Sequence, residues 1–222
     1  MTADDPLARV YGYPYPAGEE DGGDAPPPAV PAGVVPVLAF GANASRPVLR
    51  AKLGDAGAGV TAVAVELRGA DIVYSAHVSP YGAIPATLHP SPGTVVAARL
   101  LLVEAVLLAR LDATEPNYVR APFGEVEVPG LGAVAAHAYR SRHGALHLGG
   151  APVALDGVVA RGRSLRALGQ RDVQAAARDL LAPGATLDDF VLAAIGDPAV
   201  RARRTEFLRG LREPAQDDDP QG

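Results

Sequence analysis

Between residues 34 and 142 the chain breaks repeatedly into short apolar segments separated by glycine and proline, and this punctuation constrains the fold more than any other feature. Val34–Phe40 (VVPVLAF) is a continuous apolar run of strand length. Val60–Leu67, Asp71–Val78 and Ala83–Leu88 read as strands, Ser91-Pro92-Gly93 as a turn, and Thr94–Val103 as a strand that is β-branched at its start. Val119–Val128 and Ala133–Arg142 follow, divided by Pro129-Gly130. Helical character intrudes twice. Pro47 suits the first turn of a short helix to about Leu53, begun at Ser45 or Arg46. Glu104–Leu111 makes the second, ending near Asp112–Pro116. The pattern predicts an α+β domain over residues 34–150, a barrel-like mixed sheet with short flanking helices.

After Gly149 the pattern turns helical. Ser164–Leu181 has an apolar period at Leu165, Leu168, Val173, Ala176, Ala177 and Leu180, and Pro183-Gly184 breaks it. Thr186, with Asp189 three residues on, resembles a capping box. Asp197 caps a basic helix to about Arg212, with Pro198 at its first turn. Residues 151–212 are therefore expected as a helical extension packed on the sheet, and its Arg-rich helices as the candidate contact for a homodimer. Residues 1–33 are rich in Pro, Gly and acids, and Glu19–Pro31 is expected to be disordered or extended. Within that tail Val10–Pro16 (VYGYPYP) concentrates three of the seven Tyr. Rings are costly to leave in water, so this piece is a candidate arm that docks on the body. Residues 213–222 form a second acidic, disordered tail.

Charge is partitioned along the chain. The formal charge is −5, yet residues 1–33 carry six acids against one Arg and residues 213–222 four acids with no base. The surplus of base lies in residues 161–212, ten Arg against six acids. Those Arg are spread along helical pattern with only Phe190 and Phe207 for aromatic company, which reads as a solvated helix face and not a nucleic-acid surface. Cysteine is absent, which excludes disulfides and Cys-based metal sites. Met1–Arg9 lacks the form of a signal peptide, and Val95–Ala109 is interrupted by Arg99 and Glu104, too short and too charged for a membrane span. The expectation is a cytoplasmic protein that engages no membrane. One Lys against 19 Arg, with abundant Ala and Gly, fits a GC-rich bacterial genome.

Two segments carry candidate chemistry. In Val37–Ser45 (VLAFGANAS) a strand ends at Phe40 and Gly41-Ala42-Asn43 must turn sharply before a helix. Glycine allows close approach to the backbone, and N–H groups at such a turn can hold a carboxylate or an oxyanion. In Leu111–Arg120 (LDATEPNYVR) Glu115 follows an apolar helix and precedes Pro116. Alone, each is an ordinary turn. His143 and His147 are four apart in a Gly-rich, non-helical stretch without a nearby acid, a poor metal site. His77 is expected to be packed or exposed beside the sheet. Ser75, His77 and Ser79 alternate with apolar neighbours, but no G-x-S-x-G elbow, P-loop or G-x-G-x-x-G is present.

Taken in order, these segments resemble the γ-glutamylcyclotransferase family. Phe40-Gly41-Ala42-Asn43 is similar to the family's YGSN-type loop, and Leu111-Asp112-Ala113-Thr114-Glu115 to the L-D-x-x-E element that ends in its catalytic glutamate. Tyr81–Gly93 (YGAIPATLHPSPG) looks like the stretch between them. The resemblance covers Val37 to Arg142, half the chain. Phe40 stands for the usual Tyr, Ala42 for the usual Ser, and Pro116 follows the glutamate where glycine is common.

The resemblance implies an intramolecular aminolysis in which the α-amine of a γ-glutamyl group attacks its own γ-carbonyl, forming 5-oxoproline and releasing an amine or amino acid. Glu115 would be the general acid/base, a role suited to a carboxylate in a partly apolar pocket. The N–H groups of Gly41, Ala42 and Asn43 would hold the oxyanion or the substrate carboxylate. Tyr81 and Tyr118 would be pocket walls beside Phe40. No cofactor or metal is implied, and the partner is a small molecule. The alternative is a non-catalytic relative that binds a metabolite or partner, as in the C-terminal domain of allophanate hydrolases, which the hydroxyls lost at positions 40 and 42 favour. An assembly module is the third class.

Overall fold

The computed structural model describes residues 5–15 and 23–211. Its centre is a mixed sheet in which Val34–Ala39 (β1) is apolar on both faces. β1 pairs antiparallel with Ala86–Glu104 (β3) on one side and parallel with Gly132–Ser141 (β5) on the other. Its residues alternate between two cores: Leu38 joins Leu100 and Leu102 on one face, while Val37 and Ala39 join Leu101 and Val103 on the opposite face. An uninterrupted apolar run is what a strand covered on both sides requires.

Thr61–Tyr74 (β2) runs antiparallel to β3 from Thr61↔Leu102 to Tyr74↔Ala86. The four strands expected over residues 60–103 are thus two long ones. The ladder shifts between Arg68 and Ala70, where Gly69 (φ 73°) faces the excursion Ser91–Thr94, with Gly93 at φ 83°. Left-handed glycines absorb this bulge without ending either strand, and a Ser91–Thr94 hydroxyl contact of 2.8 Å closes it. Tyr118–Val128 (β4) pairs antiparallel with β5. The remaining strands are two-residue pieces: His147–Leu148 (β6), Ala151–Pro152 (β7), Ala154–Leu155 (β8), Ala160–Arg161 (β9) and Ala167–Leu168 (β10). The order β10-β8-β2-β3-β1-β5-β4 has two ends, and no ladder joins them among the described residues.

Seven α-helices are described. Pro6–Tyr11 (α1), Arg46–Leu53 (α2), Asp55–Ala58 (α3) and Ala105–Ala113 (α4) come first. Ser45 is the N-cap of α2, whose Leu49 and Leu53 pack with Leu108 and Leu111 of α4 against Val37, Leu101 and Val103. Gln170–Leu181 (α5), Leu187–Gly196 (α6) and Pro198–Gly210 (α7) cover the other face through Val173, Ala177, Phe190, Val191, Ala194 and Leu208. Thr186 caps α6 by accepting from Asp189 N (3.1 Å), and Asp197 caps α7 by accepting from Ala199 N (2.7 Å). Helix was expected from Ser164, but it begins at Gln170, because Ala154 N bonds to Arg166 O (2.9 Å) and β10 lies parallel to β8.

The N-terminal segment departs from an extended tail. Asp5 accepts from Leu7 N (2.9 Å), Pro6 opens the first turn, and Val10 is fully buried, so residues 6–11 form a helix. The aromatic piece after it docks on the body, with Tyr13 buried. Tyr11 Oη donates to Asp188 Oδ1 (2.7 Å) on α6, and Arg171 of α5 stacks over its ring. Of Glu19–Pro31, residues 19–22 lie outside the described residues, while Asp24 is tied to Ala62 of β2 through its backbone and its carboxylate. The acidic segment 213–222 also lies outside them. Among the described residues no helix is long and apolar enough to cross a membrane.

Candidate active-site cavity

A cavity of about 440 Å³ opens at the ends of β1 and α4. Phe40, Gly41, Ala42, Asn43, Tyr81, Glu115 and Tyr118, separated by up to 78 positions in sequence, all line it. Four elements bring them together: the turn after β1, the loop before β3, the end of α4 and the start of β4.

The turn is built by local hydrogen bonds. Ala44 N donates to Gly41 O (2.9 Å) and Ser45 N to Ala42 O (3.1 Å), which closes a single 3₁₀ turn at Ala42–Ala44 before α2. The N–H groups of Ala42 and Asn43 are not used in those bonds. Gly41 is required by crowding and not by a left-handed backbone, since its φ is −131°. A Cβ there would stand 2.5 Å from the Tyr13 hydroxyl and 3.2 Å from Ala86 Cβ.

Glu115 is set by the end of α4. Its N–H reaches back to Asp112 O (3.0 Å), and Tyr118 N bonds to Glu115 O (3.0 Å), so the chain doubles back around it. The side chain is only 12% exposed and is ion-paired to Lys52 Nζ at 2.5 Å. Asn43 Nδ2 donates to the same Oε1 (2.8 Å), and Lys52 also donates to Asn43 Oδ1 (2.8 Å). The three side chains close a ring of hydrogen bonds in which Oε2 of Glu115 accepts none among the described residues. Asp112 braces this corner from behind: it takes Arg120 Nε (2.9 Å), Arg120 Nη2 (3.1 Å) and the Tyr139 hydroxyl (2.6 Å). Those contacts, Arg120 foremost, hold its carboxyl below the usual range.

Tyrosines form the opposite wall. Tyr13 Oη accepts from Ala86 N (2.8 Å) and Tyr118 Oη donates to Ala86 O (2.9 Å), so both free polar groups of that strand residue are taken by phenols. Burial pushes both hydroxyls well above the ordinary tyrosine pKa, and the nearby Glu115 adds to the effect. His77, expected beside the sheet, is buried and lines the cavity. Its Nδ1 meets Ser75 Oγ at 2.7 Å, its ring lies 4.6 Å from that of His143, and burial with His143 lowers its pKa to about 3. His143 turns its Nε2 to Asn117 Oδ1 (3.0 Å), and His147 lies on β6. Among the described residues no group of three or more His, Cys, Asp or Glu is placed to hold a metal.

Lys52, Arg9 and Tyr13 also line the cavity and were not anticipated there. Lys52 carried one signal: it is the single Lys among 20 basic residues. Where Arg is otherwise used throughout, a lone Lys marks a place that wants a compact point charge and not a planar fork.

No protein-family model matches the sequence, and no curated protein matches it. Some solved structures are similar over part of their length. A gamma-glutamyl cyclotransferase is 15% identical, with TM-score 0.42, over 49% of this chain and 66% of its own, so the chain spans just under two thirds of that relative. A protein of Arabidopsis thaliana is 20% identical, with TM-score 0.40, over 50% and 70%. An uncharacterized protein of Homo sapiens is 13% identical, with TM-score 0.41, over 71% and 86%.

Proposed function

We propose that the cavity is the active site of a γ-glutamylcyclotransferase-type enzyme, on that family's fold with a C-terminal helical extension. The observation that carries this reading is the Glu115 carboxylate, sheltered on the cavity, with one oxygen fixed by Lys52 and Asn43 and the other accepting no hydrogen bond among the described residues. A base must be held in one orientation, and the contacts with Lys52 and Asn43 supply that. Glu115 Oε2 takes a proton from the α-ammonium of a γ-glutamyl group. The freed nitrogen attacks the γ-carbonyl carbon, closing a five-membered ring, and the N–H groups of Ala42 and Asn43 meet the oxyanion. The ring nitrogen sheds its second proton through Glu115 as the carbon–nitrogen bond breaks, and both protons depart on the leaving amine, which goes as its ammonium. The products are 5-oxoproline and an amine, and no water, cofactor or metal enters the balance.

The test is 5-oxoproline release from a panel of γ-glutamyl dipeptides and amines by the wild type and Glu115→Gln. Turnover lost in the variant supports the assignment; equal turnover in both refutes it.

A non-catalytic binding domain is the second reading. What favours it is that Ala86 N–H, a donor facing the cavity, is already taken by Tyr13, and that Phe40 and Ala42 offer no hydroxyl. Saturable binding of γ-glutamyl compounds without release of 5-oxoproline would select it.

A further inference from the structure

A buried polar chain ends on the cavity beside Tyr118, and the chemistry above leaves it unused. His77 is 2% exposed and lines the cavity. Its Nδ1 meets Ser75 Oγ at 2.7 Å, Ser75 Oγ meets Ser141 Oγ at 2.6 Å, and His143 N donates to Ser141 Oγ (3.0 Å). The protons fix the direction of this chain. Ser141 Oγ already accepts from His143 N, so its own proton goes to Ser75, the one acceptor it meets among the described residues. Ser75 then donates to His77 Nδ1, which assigns the imidazole proton to Nε2 from the hydrogen-bond network. The opposite direction leaves the Ser141 hydroxyl with no acceptor.

The ring is held in place as well as in tautomer. It stacks on the His143 ring at 4.6 Å and meets the Tyr118 ring edge to face at 5.6 Å. Nε2 makes no hydrogen bond among the described residues, yet it is not sealed inside the protein as Nδ1 of His137 and of His147 are, so it opens on the cavity that His77 lines. Burial and His143 lower the pKa of the ring to about 3, and it is neutral near neutral pH. Tyr118 N bonds to Glu115 O (3.0 Å), so the imidazole and the carboxylate share Tyr118 as a neighbour.

We propose that His77, fixed by Ser75 and Ser141, donates its Nε2–H to the γ-carbonyl oxygen of the bound substrate. The inference rests on the cyclotransferase reading for the identity of that oxygen. A neutral N–H among hydroxyls and rings suits an uncharged acceptor, whereas a carboxylate calls for a cation. In a γ-glutamyl amino acid the γ-amide carbonyl is the only oxygen that does not belong to a carboxylate. A neutral imidazole polarises a carbonyl while keeping its proton, and a fixed donor gains strength as that oxygen turns negative. His77 then works beside the N–H groups of Ala42 and Asn43, and Ser75 and Ser141 are positioning residues.

NMR of the full chain labelled with 15N-histidine tests the tautomer: the His77 proton should sit on Nε2, and a proton on Nδ1 overturns the proposal. Ser75→Ala, which frees Nδ1, should admit the other tautomer; an unchanged tautomer overturns the role given to Ser75. γ-Glutamylalanine added to Glu115→Gln, where it is not consumed, should move the Nε2–H resonance, and a resonance that stays in place overturns the donor. Neither of the measurements on Nε2–H needs an altered His77. In the wild-type background, His77→Phe keeps a ring without the donor and should lower kcat for 5-oxoproline release by about tenfold or more with KM little changed. His77→Gln, which offers an amide N–H, should recover part of that loss. A normal kcat in His77→Phe, or a loss confined to KM, overturns the assignment. If the wild type releases no 5-oxoproline, the acid/base reading fails, and the response of the Nε2–H resonance to γ-glutamylalanine still decides the donor.

Discussion

The two walls of the cavity are built on opposite plans. On the Glu115 side, Lys52, Asn43 and Glu115 are knit by three short hydrogen bonds, and every charge has its counter-charge. On the arm side the surface is aromatic: Tyr13, Tyr15 and Tyr81 pack ring against ring, and Arg9 lies over Tyr81. A wall with its polar groups satisfied keeps its geometry when empty, which is what reaction chemistry needs. A wall of packed rings offers mainly apolar faces to whatever enters the cavity. The contrast extends to sequence. The first wall and its brace are carried by residues between Asn43 and Tyr139, whereas the second draws on the N-terminal segment and the C-terminal helices.

The strongest way to break this comparison is Glu115→Gln. It should lower 5-oxoproline release by about a hundredfold or more, while thermal unfolding stays within a few degrees of wild type. A variant that loses its fold along with its activity would put Glu115 among structural groups. Lys52→Met comes next. It strands a carboxylate that is 12% exposed, and should cost about 2–3 kcal/mol in urea unfolding together with most of the turnover. Lys52→Arg should recover stability better than activity, because a planar fork cannot lie between Asn43 Oδ1 and Glu115 Oε1 as a point donor does.

The contact between the walls gives a smaller, sharper test. Gly41→Ala drives a methyl into the Tyr13 hydroxyl, and Tyr13→Phe leaves Ala86 N–H unpaired; each should cost about 1–3 kcal/mol. The double variant should cost less than the sum, because the 2.5 Å approach disappears and the next contacts are 3.2 and 3.5 Å. Strict additivity in a double-mutant cycle would mean that the arm does not rest on the turn.

The smallest effect is a pH slope. His77 has a pKa of about 3 in the fold against 6.5 in the open chain, so the unfolded state binds the extra proton between those values. Stability is therefore full above pH 6.5 and falls as the pH drops toward 3. The loss from this group approaches about 1.4 kcal/mol per pH unit well inside that window. In His77→Gln the urea-unfolding slope between pH 6 and 4 should be shallower by up to that amount.

Much of the first wall was legible in the sequence. Val34–Phe40 announced β1 by its apolar run, Ser45 and Pro47 announced α2, and Pro116 marked the end of α4 that presents Glu115. Each of these signals is local. What stayed hidden depends on distance or on brevity. Lys52 meets Glu115 across 63 positions, and nothing in the KLGD neighbourhood points there. Strands of two residues between 147 and 168 are too short to show a period. Gly69 and Gly93 read as breaks, because a sequence cannot say that two bulges will face each other and let the ladder run on.

The clasp between Tyr11 and Asp188 joins residues 177 positions apart. A chain leaving the ribosome exposes Tyr11 long before Asp188 is translated. The Glu115 wall needs the chain as far as β5, which pairs with β1 and brings Tyr139 to Asp112, while the clasp waits for Asp188, about fifty codons later. The arm can therefore be seated on Ala86 through Tyr13 before α6 exists to clasp Tyr11.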